Sequence, residues 1–195
     1  MLLVVVALLV AVVLGLLRGG GLSRLGQLPL RAPRLVWAAL ATQLVGGIVG
    51  GPVYAAGLAV SVGLVAVFLS RNRGIRGTGL VALGLLGNAL VVGSNGAMPV
   101  SDAAAGRAGV TTQDILAGTD PRHEIADDGT RLPWLGDVVP VPAPVRPEVV
   151  SPGDILVAAG LAQLVVLGMG PRQRPVRARH GEGRQRPALP PLTAD

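Results

Sequence analysis

Four carboxamides, Gln43, Asn88, Asn95 and Gln163, sit inside otherwise apolar runs, and one carboxylate, Asp137, sits in the proline-dotted stretch "TRLPWLGDVVPVP". An amide donates and accepts hydrogen bonds but offers no titratable proton, so the chemistry open to these four is recognition, not acid–base work. Asp137 adds a negative charge that could reach the same mouth as Asn95. These five residues are the candidate ligand-binding set. Asp120, His123, Glu124, Asp127 and Asp128 offer donors for a divalent cation, but one histidine without a recognised ligand spacing reads better as a solvated acidic loop. No metal site is assigned. Ser101 with His123 as its base would be a minimal nucleophile. The chain, however, has no Gly-x-Ser-x-Gly elbow, no His-Glu-x-x-His pair, no phosphate-binding loop and no cysteine. No catalytic residue and no cofactor are assigned, and an enzyme is the weakest of the readings considered.

The elements that must position these groups follow from composition. Half of the 195 residues are apolar and only 14% are charged. The apolar residues gather into blocks of about twenty, the length that crosses a bilayer core. Five such blocks are expected to be helices: about 1–17, 35–51, 53–70, 78–97 and 151–170. Pro52 alone separates the second from the third, which makes them a tight hairpin. The first lacks a basic leader and an Ala-x-Ala site, so a cleaved signal peptide is not expected. Residues 98–150 contain eight acids and four arginines, a net charge of −4, and no spanning run. Residues 171–195 hold six arginines among Pro, Gly and Gln and are expected to be a disordered cytoplasmic tail. The fold class is thus all-α: a five-helix transmembrane bundle with an irregular extracytoplasmic segment between helices 4 and 5.

Charge orients the bundle. All seventeen basic residues are arginine, a usage that suits a GC-rich bacterial genome. Thirteen arginines fall in the 18–34 and 71–77 connectors and the tail, and four fall on the other side. The positive-inside rule then puts the N-terminus outside and the C-terminus in the cytoplasm of a multi-pass cell-membrane protein. Trp37, Tyr54 and Phe68 lie near span ends, where amphipathic rings favour the headgroup region. The net charge of +6 does not indicate nucleic acid, because the arginines flank apolar segments.

Spans two to five centre on Gln43 (with Thr42 beside it), near Ser61, on Asn88 and next to Gln163. Hydrocarbon cannot satisfy an amide, so these groups are expected to meet in one polar layer. Such a layer can be structural glue or a small ligand cavity, and glue is the plainer account because intramembrane hydrogen bonds average only about 0.6 kcal/mol. Gly46, Gly47, Gly50 and Gly51 form two overlapping Gly-x-x-x-Gly pairs that permit close helix approach. Gly84, Asn88, Val91 and Asn95 share one helix face. Ser94-Asn95-Gly96 followed by Pro99 should end the fourth helix, with Gly96 left-handed.

In the outer segment Ser101 can cap a short helix through Arg107, and Thr111 with Asp114 suggests a second cap opening a turn to Ala117. Trp134 reads as an interfacial anchor. Ser151-Pro152-Gly153-Asp154 reads as a capping box with proline in the first helical turn.

The order of features, "LRGG", "GNALVVGSNGAMPVS", "DPRH", "TRLPWLGDVVPVP" and "SPGD" opening the last span, resembles the bacterial membrane family called domain of unknown function 5317. The resemblance covers about residues 1–170 and leaves the tail outside, and Ala97 stands where a second glycine is expected. It implies an integral membrane protein and carries over no catalytic residue. The leading functional expectation is a non-enzymatic binding or membrane-complex component whose partners are membrane lipid and either another protein or a second copy of itself, with no nucleic acid. The alternative is a small transporter or channel component, and behind it a membrane-embedded enzyme.

Overall fold

The computed structural model describes residues 2–49, 51–117, 120 and 122–170. The arginine-rich tail lies outside them. The chain is mostly helical, and helices occupy all five apolar runs: α1 (Leu2–Leu17), then the single turn α2 (Leu22–Leu25), α3 (Arg34–Val49), α4 (Gly51–Arg71) and α5 (Thr78–Asn95). The outer segment follows as β1 (Met98–Val100), α6 (Asp102–Ala108), α7 (Gln113–Leu116), β2 (His123–Ile125), a 3-10 turn at Pro133–Leu135, β3 (Val139–Val141) and β4 (Glu148–Val150). Helix α8 (Pro152–Met169) closes the described chain. Two helices, Thr78–Asn95 and Pro152–Met169, are long and apolar enough to cross a membrane, and Leu2–Leu17 is a shorter apolar helix.

The close packing centres on α8, which contacts both α5 and α1 extensively. Helices α5 and α8 run antiparallel and meet through glycines seven residues apart on each. A side-chain carbon at Gly160 would lie 2.7 Å from the Gly77 carbonyl oxygen, and one at Gly153 would lie 2.7 Å from that of Gly84. Backbone therefore touches backbone, which only glycine permits. On the other flank Met169 is fully buried against Gly15 and Gly20, in a core cluster with Ala11 and Val165. Helix α8 ends at this inner core, where the Arg24 guanidinium donates to the Met169 carbonyl at 3.3 Å. A cation at a helix C-terminus suits the dipole and fills an orphan acceptor.

Helices α3 and α4 pack on each other as the expected hairpin but touch α5 only sparsely. Of the anticipated glycine stripe, Gly46 faces Gly57, and a side-chain carbon at Gly57 would lie 2.6 Å from the Thr42 carbonyl. The packing of Gly47, Gly50 and Gly51 lies outside what is described. The hairpin is tied to the rest by buried Asn72, just past the end of α4. Its Nδ2 donates to Arg31 O (2.9 Å) and Phe68 O (2.7 Å), while its Oδ1 accepts from Arg31 N at 2.8 Å. One amide thus joins the two arginine-bearing connectors.

The outer segment is not irregular, as its composition suggested. β1 pairs in parallel with β2, and β3 pairs antiparallel with β4. All four strands are three residues long, and β1 and β3 carry proline in the centre, so a pattern of period two has no alternation to detect. Ser101 caps α6, its hydroxyl accepting from Ala104 N. The cap of α7 is Thr112 and not Thr111, and it makes no side-chain cap bond. That turn rests on backbone bonds from Leu116 N and Ala117 N.

The glycine contact predicts an asymmetry. Gly160→Ala should destabilise the protein by about 1–3 kcal/mol through overpacking. Gly79→Ala, where a side-chain carbon meets nothing within 4 Å, should leave the melting temperature unchanged or raise it. Thermal unfolding in detergent distinguishes them, and equal effects would show that the α5–α8 contact is not tight.

Candidate functional site

At the end of the α5–α8 contact where α8 begins, the amide of Asn88 meets the first turn of α8. Its Nδ2 donates to Asp154 Oδ1 at 2.8 Å, and its Oδ1 accepts from the Ser151 hydroxyl at 2.9 Å. Ser151 and Asp154 also form a complete capping box, each side chain bonding the other's backbone N–H. The cap is therefore shared between two helices: the groups that satisfy the orphan N–H donors of α8 also satisfy both ends of an amide on α5. Ser151 is fully buried. Its hydroxyl is spent on this structure, donating to Asn88 Oδ1 and accepting from Asp154 N.

A second amide fastens the outer segment. Asn95 sits at the last position of α5, before Gly96, whose φ of +96° ends the helix in the left-handed region. Asn95 Nδ2 donates to Arg131 O and Asn95 Oδ1 accepts from Arg131 N, both at 2.8 Å. It thereby engages both main-chain polar groups of one loop residue. Leu132 follows with φ +53°, a conformation uncommon for a branched side chain before proline. The loop then returns to Gly136, where a side-chain carbon would collide with the Pro99 carbonyl. This close approach lets Asp137 N donate to Pro99 O and lets Asp137 O accept from Ser101 N, at 2.8 and 2.9 Å.

The backbone pairing drives the Asp137 side chain inward. The residue is 7% exposed, and its Oδ1 is buried without a hydrogen-bond partner among the described residues. Burial pushes its carboxyl up to about 7, the nearby Asp154 carboxylate adds to the rise, His123 opposes it, and Glu148 raises it further. His123 Nε2 stands 3.8 Å from Asp137 Oδ2, and its Nδ1 lies 2.8 Å from Asp120 Oδ2. Burial, the largest single influence, raises the Asp120 carboxyl, but the hydrogen bonds and charges of His123 and Arg122 together outweigh it and hold the group below its ordinary value. Glu148 is likewise lowered: burial works against ionisation, but the hydrogen bonds it accepts, among them those from Leu3 N (2.7 Å) and Leu2 N (3.0 Å), prevail. That carboxylate sits at the positive end of α1.

The candidate residues are therefore distributed unevenly. Asn88, Asn95 and Asp137 gather at one end of the α5–α8 pair, in two adjoining networks. Gln43 pairs elsewhere, its Nε2 donating to buried Ser61 Oγ at 2.7 Å within the α3–α4 hairpin. Gln163 lies on an exposed face of α8. The expected single midplane layer does not form. The Gln43 amide bonds Ser61 across the hairpin, whereas the Asn88 amide bonds Ser151 and Asp154 across the α5–α8 contact, so the two amides find separate partners. Of the acidic-loop residues, Asp120 and His123 meet, whereas Asp127 closes a local turn by accepting from Gly129 N at 2.8 Å. Ser101 Oγ caps α6, and the ring nitrogens of His123 face Asp120 and Asp137. Sequence reasoning missed Asn72 and Glu148. Asn72 lies one residue past its helix, a position that carries no pattern, and Glu148 resembles any loop acid.

The family model described as "Family of unknown function (DUF5317)" matches residues 27–166. The chain belongs to that family. No curated protein and no solved structure matches it. In this DUF5317 member the matched range takes in Asn88, Asn95, Asp120, His123, Asp137, Glu148, Ser151 and Asp154, while the Leu2 and Leu3 N–H groups that bond Glu148 lie before it.

Two outcomes follow for the polar end. In chelator-containing buffer, Asp137 should make the protein less stable as pH rises from about 4 to about 7. Its folded-state carboxyl binds the proton more tightly than the unfolded one, so its stabilising contribution is complete below pH 4 and is lost through pH 7. The span is at most on the order of 4 kcal/mol. Asp137→Asn should flatten that window, while Glu148 and Asp120, lowered in the fold, confine their own losses to pH below about 4.5. Chemical unfolding followed across pH 4–8 reads this directly. Separately, a double-mutant cycle of Asn88→Ala with Asp154→Ala should show coupling of about 1 kcal/mol, whereas Asn88→Ala with Gln43→Ala should be additive. Coupling only in the second pair would contradict the geometry.

Proposed function

We propose that this chain is a multi-pass cell-membrane protein of five spanning helices whose outer segment, 98–150, is the working face of a non-enzymatic binding or membrane-complex component. The observation that carries this reading is where the two kinds of surface lie. Along the helices, large apolar side chains such as Val5, Leu9, Val13, Leu44, Ile48 and Leu86 are exposed, a surface that lipid accepts and water does not. Apart from the Gln43–Ser61 pair inside the α3–α4 hairpin, the polar networks gather at the helix ends.

The helix directions support the same orientation. The start of α1 bonds to Glu148, beside the end of α5 and the start of α8. The opposite end holds Arg24 on the last carbonyl of α8 and Arg31 on Asn72. With arginine-rich connectors cytoplasmic, the N-terminus and residues 98–150 are outside. Trp134 is 65% exposed on the turn that lies over the ends of α5 and α8. At that height an exposed indole suits the headgroup layer, as an anchor for the docked loop.

A reporter that works only in the cytoplasm should be active when fused after Arg172 and silent when inserted near Gly129. The reverse pattern would refute the orientation. A protein or lipid that co-purifies in gentle detergent and is lost when residues 98–150 are perturbed by Asn95→Ala would support the binding role. Undiminished co-purification with that variant would place the binding face elsewhere.

A further inference from the structure

The ionised Asp120 carboxylate can only accept, so His123 Nδ1 must carry the proton that lies between them. In the neutral ring, Nε2 then presents a lone pair, and it faces the Asp137 carboxylate at 3.8 Å. With Asp137 ionised, two acceptors face each other with no donor between. Protonating either one does not close the gap, because a hydrogen bond needs about 2.7–3.2 Å. The spacing instead approaches that of two donors on one metal ion, which stand roughly 3.3 Å apart at metal–ligand distances of about 2.0–2.2 Å. A histidine whose far nitrogen is held by a carboxylate has the outer support typical of a metal-ligating imidazole. Asp137 Oδ1 is buried and unpartnered, and the carboxylates of Asp154 and Glu148 lie close enough to act on it. A cation would relieve all three conditions at once.

We propose that the outer segment binds a divalent transition-metal ion of the Zn²⁺ type between His123 Nε2 and the Asp137 carboxylate, with Asp120 positioning the imidazole. Among the described residues no group of three metal-capable side chains converges, so water completes the coordination shell. The site is an open one that exchanges its ion, distinct from a closed structural zinc site. The nitrogen and carboxylate donors, with no cysteine in the chain, favour Zn²⁺ over softer-ligand ions such as Cu(I). Binding closes the pair by about half an ångström and clamps β2 to the 131–137 loop, so the ion would stiffen the face that meets a partner. The inference concerns only this pair and stands whether or not the chain is oriented as proposed above.

The test uses the full chain in detergent, stripped with EDTA and titrated with Zn²⁺ against a chromophoric chelator. One equivalent should bind. His123→Ala and Asp137→Asn should each weaken binding by at least tenfold, and Asp120→Asn by about tenfold or more. Asp127→Asn with Asp128→Asn should bind as the parent does, and so should His180→Ala, which removes the other histidine of the chain. Because a ligand variant can fail to fold, the parent protein supplies a second readout. Zn²⁺ should protect His123 from diethyl pyrocarbonate, followed by mass spectrometry. Absence of stoichiometric binding, binding that survives His123→Ala, binding lost in His180→Ala, or an unprotected His123 would each overturn the proposal.

Discussion

The rest of the structure depends on the backbone-to-backbone contact of α5 with α8. Two helices at this distance have no room for side chains at Gly77, Gly84, Gly153 and Gly160, and they gain dispersion contact along their length in exchange. Such a contact leaves little slack in either helix. Its outer end therefore places Asn88 against the first turn of α8 with a fixed register. Without that register Asn88 would carry an unsatisfied amide into an apolar environment, and the cap of α8 would lose the partner on the neighbouring helix.

From this contact the outer segment is built in steps, each through a main-chain bond. Asn95 ends α5 and holds Arg131, Gly136 lets the returning loop approach Pro99, and Asp137 is fastened by both its N–H and its carbonyl. A side chain carried on so constrained a backbone cannot turn away to solvent. That explains why a carboxylate stays buried with a raised pKa: the pairing of its neighbours outweighs the desolvation of one group. The desolvation of this segment thus falls on a single acid, beside a histidine that Asp120 positions.

The α3–α4 hairpin is a separate element in this respect. It satisfies its own polar atoms through Gln43 and Ser61, and it joins the other helices mainly at the inner connectors through Asn72. The structure thus has a closely packed part, α1 with α5 and α8, and a hairpin that touches α5 only sparsely.

Sequence alone determined the elements that depend on local chemistry and on length. The five apolar helices, the stop at Gly96, the Ser101 cap and the Ser151–Asp154 capping box are set by residue type within a few positions, so they are legible in one dimension. The family resemblance was legible for the same reason, because its motifs are contiguous. Tertiary structure alone decided which polar groups meet. Span centres put Gln43, Ser61, Asn88 and Gln163 at one depth, but depth is one coordinate of three. Helix rotation and separation sent Gln43 to Ser61, Asn88 to Ser151 and Asp154, and Gln163 outward. The pairing of His123 with Asp137 likewise joins a strand to a loop fourteen positions away, and no spacing rule connects them. Their meeting depends on the close approach of Gly136 to Pro99, a contact between backbones that side-chain pattern does not encode.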